Sequence, residues 1–316
     1  MIESHLLQDL SINGKSIDRG LIIRVQYIEA IEPVAPYLLL DIDDPNGALR
    51  TLRSGRETVC SATLALTADR AKIQRENHSI AFEGTLLKWS TDPKHSARYQ
   101  LFFVHSITFA LLEKKQVMVS SAPVEKIFQK LIPGWQVQMS AILPVTDFHC
   151  LHQRPIAQMM AWLNEHGCVL RYDRQAHELV TLTQLQQVEP QMEFYDQGLT
   201  SAHPALRVRY LGESYLMGEY TREEPFHFDL ETGPIETQAP PSWSPTKNEL
   251  SRRMGMKKLV PSLDFQSFLT FKIKLGEKFR YADEDYLVLR GSWQEYKEQA
   301  SMRILGAKVY EPRSAS

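Results

Sequence analysis

The densest group of metal-capable side chains is Asp147, His149, Cys150 and His152, with His166 and Cys168 one helix further on. Zinc needs three or four deprotonated N, S or O donors in a tetrahedron, and these residues supply the right donor types. Their spacing argues otherwise. Neighbours in an extended segment point to opposite faces, so His149 and Cys150 diverge, and His166 at a helix end meets the helix dipole favourably. They read as structural histidines and buried thiols. A second candidate is the carboxylate group Asp41, Asp43 and Asp44, which could bind a cation or serve as a glycosidase acid pair. Asp43-Asp44-Pro45-Asn46-Gly47 is equally what a tight turn demands. There is no Gly-x-Ser-x-Gly elbow, no phosphate-cradling Gly-x-x-x-x-Gly-Lys loop, no Gly-x-Gly-x-x-Gly and no His-Glu-x-x-His. No catalytic, cofactor-binding or metal-binding residue is therefore assigned, and no cofactor is expected. The chain reads as a structural or binding protein rather than an enzyme.

The elements that would position these residues are mostly strands. Leu21 to Glu29 places Ile23, Val25 and Tyr27 on one face and Arg24 and Gln26 on the other, the period of a half-buried strand. Similar runs at 37–41, 58–66, 79–89 and 98–108 are separated by turn material, and five strands in that span predict an antiparallel sheet or barrel. The pattern then turns helical. Pro123 opens a helix with Val124, Ile127, Phe128 and Leu131 on one stripe, closed by Pro133-Gly134. Pro155 opens another, with Ile156, Met159, Met160 and Leu163 apolar and Gly167 as its stop, and a hairpin follows at 168–172 and 178–182. Strands return at 205–211, 215–221, 226–230, 268–275, 277–281, 286–289 and 302–310. Between them, residues 231–248, with Pro234, Pro240, Pro241 and Pro245, predict a long loop. Beyond it, Arg252-Arg253 and Lys257-Lys258 read as a solvated face or protein contact.

Composition bounds the function classes. With 36 Lys plus Arg against 38 Asp plus Glu, the net charge of -2 gives no basic field for phosphate backbones, which disfavours sequence-independent nucleic-acid binding. A hydrophobic fraction of 43% supplies buried cores and disfavours disorder. Cys60, Cys150 and Cys168 are too few for a disulfide framework. The N-terminal residues lack a signal-peptide pattern, and no window approaches the roughly 18 apolar residues of a membrane helix. The length suggests about two domains.

Particular stretches resemble the hub proteins of contractile tails, namely the gp27-like baseplate hub, the late control protein D family and the N-terminal hub part of VgrG. Phe82-Glu83-Gly84-Thr85-Leu86 is similar to the family's F-x-G-x-(I/L) strand. The stretch from Arg98 to Phe103, through Leu111-Leu112-Glu113, resembles the strand and connection leading out of the first barrel. The stretch Ala122 to Ile132 resembles the short helix at the head of the insert, and Pro155 to Tyr172 the family's helix that ends at a Gly and runs into a hairpin.

The resemblance implies a mainly β fold with an α+β insert. Two related antiparallel β-barrels flank a small α/β subdomain: the first over 1–115, the insert over 116–200, the second over 201–316 with the Pro-rich loop at about 231–248. It implies a structural baseplate hub of a phage-type contractile tail. Such hubs are homotrimers forming a pseudo-sixfold ring that adapts the sixfold tail tube to the threefold central spike and lets DNA pass. The partners implied are the spike, the tail tube, baseplate wedge and tape-measure proteins, with no sequence-specific nucleic acid and no stable membrane insertion. The location implied is the virion tail, after synthesis in the host cytoplasm. Edge strands carrying charges such as Arg207 and Arg209 are plausible ring contacts. Ending at Ser316, the chain is expected to leave the spike to a separate polypeptide. The alternatives are a tail-borne polysaccharide- or peptidoglycan-degrading enzyme using Asp41, Asp43 or Asp44, and the same hub in a type VI-like secretion or extracellular injection system.

Overall fold

A computed structural model of the chain describes residues 6–31, 36–53, 55–65, 79–92, 94–134, 137–139, 145–156, 158–159, 163, 168–172, 174, 177–181, 189–195, 205–211, 226–229, 233–236, 261–296 and 299–308. In chain order the first strands are β1 (Leu7–Ile12), β2 (Lys15–Ser16), β3 (Ile22–Ala30), β4 (Tyr37–Asp43), β5 (Gly55–Ala65), β6 (Ser79–Asp92) and β7 (His95–His105). Next come α1 (Ser106–Leu112), β8 (Lys115–Ala122), α2 (Val124–Leu131), β9 (Val137–Met139), β10 (Thr146–Gln153), β11 (Cys168–Tyr172) and β12 (His177–Thr181). The remaining strands are β13 (Met192–Phe194), β14 (Ala205–Tyr210), β15 (Phe226–Asp229), β16 (Gly233–Glu236), β17 (Pro261–Ser267), β18 (Lys278–Tyr281), β19 (Glu284–Tyr296) and β20 (Gln299–Lys308).

One 13-stranded sheet dominates, in the order β14-β17-β20-β19-β3-β4-β7-β6-β5-β1-β2, with β18 on β19 and β13 on β18. Its two halves share a connectivity. In the first half β1, β3, β4, β5, β6 and β7 lie side by side as β3-β4-β7-β6-β5-β1; in the second half β13, β14, β17, β18, β19 and β20 lie as β14-β17-β20-β19-β18-β13. The second, third, sixth, fifth, fourth and first strands are thus neighbours in both. The halves meet where β19 pairs antiparallel with β3, Trp293 opposite Tyr27. Two barrels were expected, but among the described residues no sheet closes. At this junction β3 gives its outer edge to β19 of the other half. One apolar core runs under both halves, from Leu6 and Tyr27 through Phe82 and Phe103 to Phe265, Trp293 and Ile304.

The second core belongs to the segment between the halves. Val124, Ile127, Phe128 and Leu131 of α2, spaced for one helix face, pack with Ile107 and Leu111 of α1, Phe148 and Cys150 of β10, and Met159, Leu163, Cys168 and Leu170. Each such side chain contributes about 1.5–3 kcal/mol by leaving water. In the expected helix opened by Pro155, the described residues 155, 156, 158, 159 and 163 are helical, and Met160 and Gly167 lie outside the described set. Met192–Phe194, within 116–200 in the sequence reading, pairs with β18 of the main sheet.

Two expectations change. Residues 268–275 alternate apolar and polar, and Phe271, Ile273 and Leu275 are buried, yet they form no strand; the strand is Pro261–Ser267. The carbonyls of Thr270, Phe271 and Ile273 accept side-chain donors instead of ladder bonds. Residues 233–236, inside the expected loop, pair with β15, Phe228 opposite Pro234; a two-stranded ribbon leaves edge positions where proline's missing N–H costs nothing. The rest of that loop, the expected strand at 215–221 and the basic pairs near 252 and 257 lie outside the described residues. No helix among the described residues is long and apolar enough to cross a membrane.

Candidate functional site: the polar face of the sheet

The carboxylate trio is divided by the pleat. Asp44 is buried, its Oδ1 accepting from the Ala48 N–H (3.0 Å) and its Oδ2 from the Leu49 N–H (2.7 Å), so it builds the turn. Asp41 and Asp43 sit two residues apart on the opposite, polar face of β4. Asp41 accepts from Gln100 Nε2 at 3.1 Å and lies 3.9 Å from Arg24 Nε, while Asp43 lies 3.9 Å from Arg98 Nε. Each is matched with a cation, and the trio does not converge on one point.

The His/Cys group also separates. His149 is exposed and its Nε2 lies 3.2 Å from Ser120 Oγ, whereas Cys150 is buried, with its thiol 3.6 Å from the Lys115 carbonyl oxygen. Asp147 Oδ1 accepts from the Ser121 N–H (2.6 Å), at a residue with φ of 47°. Cys168 belongs to the insert core, and burial pushes its thiol up to about 11. The His152 side chain and all of His166 lie outside the described residues, and among those described no group of three or more His, Cys, Asp or Glu could hold a metal ion.

Instead, one polar band crosses the sheet from strand to strand. Gln26 donates to Ser292 Oγ (2.9 Å), Arg24 to Gln26 Oε1 (2.8 Å) and Gln294 to Ser301 Oγ (3.2 Å). Arg303 grips Asp264 with two guanidinium nitrogens, one at 2.6 Å, and holds that carboxyl below the usual range, aided by Arg209 and Arg207. Two shallow hollows lie in this band. One is lined by Gln26, Arg207, Arg209, Asp264, Ser292 and Arg303, the other by Asp41, Ser90, Asp92, Arg98, Gln100 and Tyr296. The alternation that sends Tyr27 and Val25 into the core sends these groups outward.

The residues that the sequence reading missed lie beneath. Arg174, at the tip of the β11–β12 hairpin, reaches into the main sheet. Its Nε donates to Glu29 Oε1 (2.7 Å), Nη1 to the Phe271 carbonyl (2.6 Å) and Nη2 to the Ile273 carbonyl (3.0 Å), with its guanidinium 4.8 Å from the Trp293 ring centre. Tyr27 Oη donates to Glu29 Oε1 at 2.8 Å, and burial followed by that carboxylate raises the phenol well above its ordinary pKa, so it remains the donor. Burial opposes the charge on Arg174, but the Glu29 carboxylate outweighs it. One side chain thus ties the insert to both halves of the sheet. The sequence carried a signal: Glu29 shares the core-facing period of Val25 and Tyr27, an acid where an apolar residue belongs.

No protein-family model matches the chain, and no curated protein matches it by sequence. Solved structures do. The 43 kDa tail protein of prophage MuSo2 from Shewanella oneidensis superimposes with a TM-score of 0.63 at 10% identity, over 96% of this chain and 97% of that one. A tail protein from Neisseria meningitidis gives 0.59 at 10% identity, over 95% and 96%. The Escherichia coli c3393 protein, a type VI secretion component with structural similarity to the phage T4 tail proteins gp27 and gp5, gives 0.59 at 10% identity, over 96% and 79%. These neighbours are tail and secretion-system proteins, and the resemblance read from Phe82–Leu86 and Pro155–Tyr172 is met at the level of the whole chain. The chain has the fold of these phage tail and type VI secretion proteins.

Proposed function

We propose that this protein is the structural hub of a contractile-tail baseplate. In this reading three copies close into a ring in which the two sheet halves of each chain, one beginning at β1 and the other at β13, act as barrel-like units around a pseudo-sixfold axis. The ring joins a sixfold tube to a threefold spike. The observation that carries it is the sheet itself: two halves with one strand order, already joined edge to edge by β19 and β3. Such a repeat supplies six similar units from three chains. The polar band, with acids and guanidiniums largely neutralising one another, suits the wall of a channel through which DNA must slide without adhering. The insert, fixed by Arg174, suits the contacts with spike or wedge, and the tape-measure protein would meet the tube end. The place of action is the virion tail, or the equivalent secretion or injection machine. No catalytic step is assigned, since Asp41, Asp43 and Asp44 serve pairing and turn.

Electron microscopy of the purified chain tests this directly. Rings with a central opening that bind purified tube and spike proteins are expected. Isolated particles that release sugars from cell-wall glycan would overturn the reading in favour of an enzyme.

A further inference from the structure

In the polar band Arg24, Arg98 and Arg303 each lie by an acid. Arg207 and Arg209 do not. Both belong to the hollow in the second half of the sheet, where the strands lay out a row: Arg207 of β14 opposite Gln266 of β17, Gln266 opposite Arg303 of β20, and Arg303 opposite Ser292 of β19. Beside this row Arg209 stands opposite Asp264. Two residues apart on one strand, Arg207 and Arg209 leave the same face with Cα atoms on the order of 7 Å apart, and both are exposed.

The ladder gives Arg209 an acid directly opposite, and opposite charges so placed ordinarily pair. Here that acid is taken. Asp264 Oδ1 accepts from Arg303 Nε at 2.6 Å and Oδ2 accepts from Nη2 of the same guanidinium, a fork that occupies both oxygens. Arg209 and Arg207 reach Asp264 only through their electrostatic field, and among the described residues neither lies within ion-pair distance of a carboxylate. Three guanidiniums therefore face one carboxylate, which leaves an excess of two positive charges in the hollow. The Gln266 amide, between Arg207 and Arg303 in the row, adds a neutral donor.

We propose that this hollow binds a phosphoryl oxyanion, held between Arg207 and Arg209 with the Gln266 amide as a third donor. The donors select the class. A carboxylate has two oxygens in one plane and satisfies a single guanidinium fork, as Asp264 satisfies Arg303. A tetrahedral phosphoryl group presents oxygens in several directions and can meet both forks of the exposed pair. Asp264 sets the strength, since its carboxylate lies beside the anion and opposes it, so binding is weak and reversible. The inference does not rest on the ring reading. It agrees with a band that gives no lasting hold on a polyanion, because a subsite with two excess charges releases few counterions.

Isothermal titration of the full chain with inorganic phosphate tests this, at low ionic strength because salt screens exposed charges. Saturable binding is expected for the unmodified chain, and Arg207→Gln combined with Arg209→Gln should weaken it roughly tenfold. Asp264→Asn removes the opposing acid and should tighten it several-fold, a gain that a misfolded chain would not give, with circular dichroism confirming folding of each variant. Dimethyl phosphate competing as well as inorganic phosphate assigns the site to phosphodiesters; failure of the diester to compete assigns it to free phosphate or phosphomonoesters. Three results overturn the proposal: no saturable binding to the unmodified chain, binding that survives the double substitution, or displacement of phosphate by acetate at equal concentration.

Discussion

Arg174 is the residue on which the connection between insert and sheet depends. Its pairing with Glu29 is buried, with side-chain exposures of 11% and 0%, so removing one partner strands the other in an apolar setting. Arg174→Met is expected to cost about 3–5 kcal/mol in urea unfolding, and Glu29→Gln in the same chain should recover part of that loss. His105 makes a pH-dependent contribution. It caps α1 by accepting from the Ile107 N–H at 3.4 Å, and burial lowers its pKa from 6.5 to about 4. The unfolded chain therefore binds a proton that the folded chain refuses. Stability is at full strength above pH 6.5 and falls as the pH drops towards about 4, by roughly 1–3 kcal/mol. Thermal melts between pH 7 and pH 4.5 should show this decline, and His105→Asn, which keeps a cap acceptor without the titration, should flatten it. The thiols give a third check: Cys60, Cys150 and Cys168 are buried, and burial pushes the first and last up, so thiol reagents should label only unfolded protein.

Among the elements, the long β6–β7 and β19–β20 hairpins define each half, and each contains a glycine under an aromatic ring. A Cβ on Gly84 would fall 2.5 Å from the Phe82 ring and 2.7 Å from the Val104 carbonyl oxygen; on Gly291 it would fall 2.4 Å from the Trp293 ring. Gly84→Ala should cost about 1–3 kcal/mol in denaturant unfolding, and more than Gly291→Ala, since a backbone carbonyl yields less than a ring. This also explains physically why Phe-x-Gly could be read in the sequence. Period-two runs such as Ile22–Ala30 and the stripe of α2 were legible because one face is wet and the other dry. The apolar alternation at 268–275 misled, because burial was correct while the carbonyls had been claimed by Arg174 and Trp293, partners remote in sequence. The edge-to-edge joining of β3 and β19 was illegible for the same reason: strand period tells which face is buried and not which edge is paired. Arg174 falls between the two strands of the 168–182 hairpin, and its reach into the core is a tertiary fact that no local pattern marks.

Among the described residues the main sheet has an apolar core on one side and a polar band on the other, and Arg174 fixes the segment between the halves to it. Across the band cations and acids are paired, Arg24 near Asp41, Arg98 near Asp43 and Arg303 on Asp264. Closure of three chains into a ring through heterologous edges is measured by native mass spectrometry of the untagged protein. A single species of three times the chain mass is the predicted result, and a monomer or a two-fold dimer that persists at high concentration would contradict it.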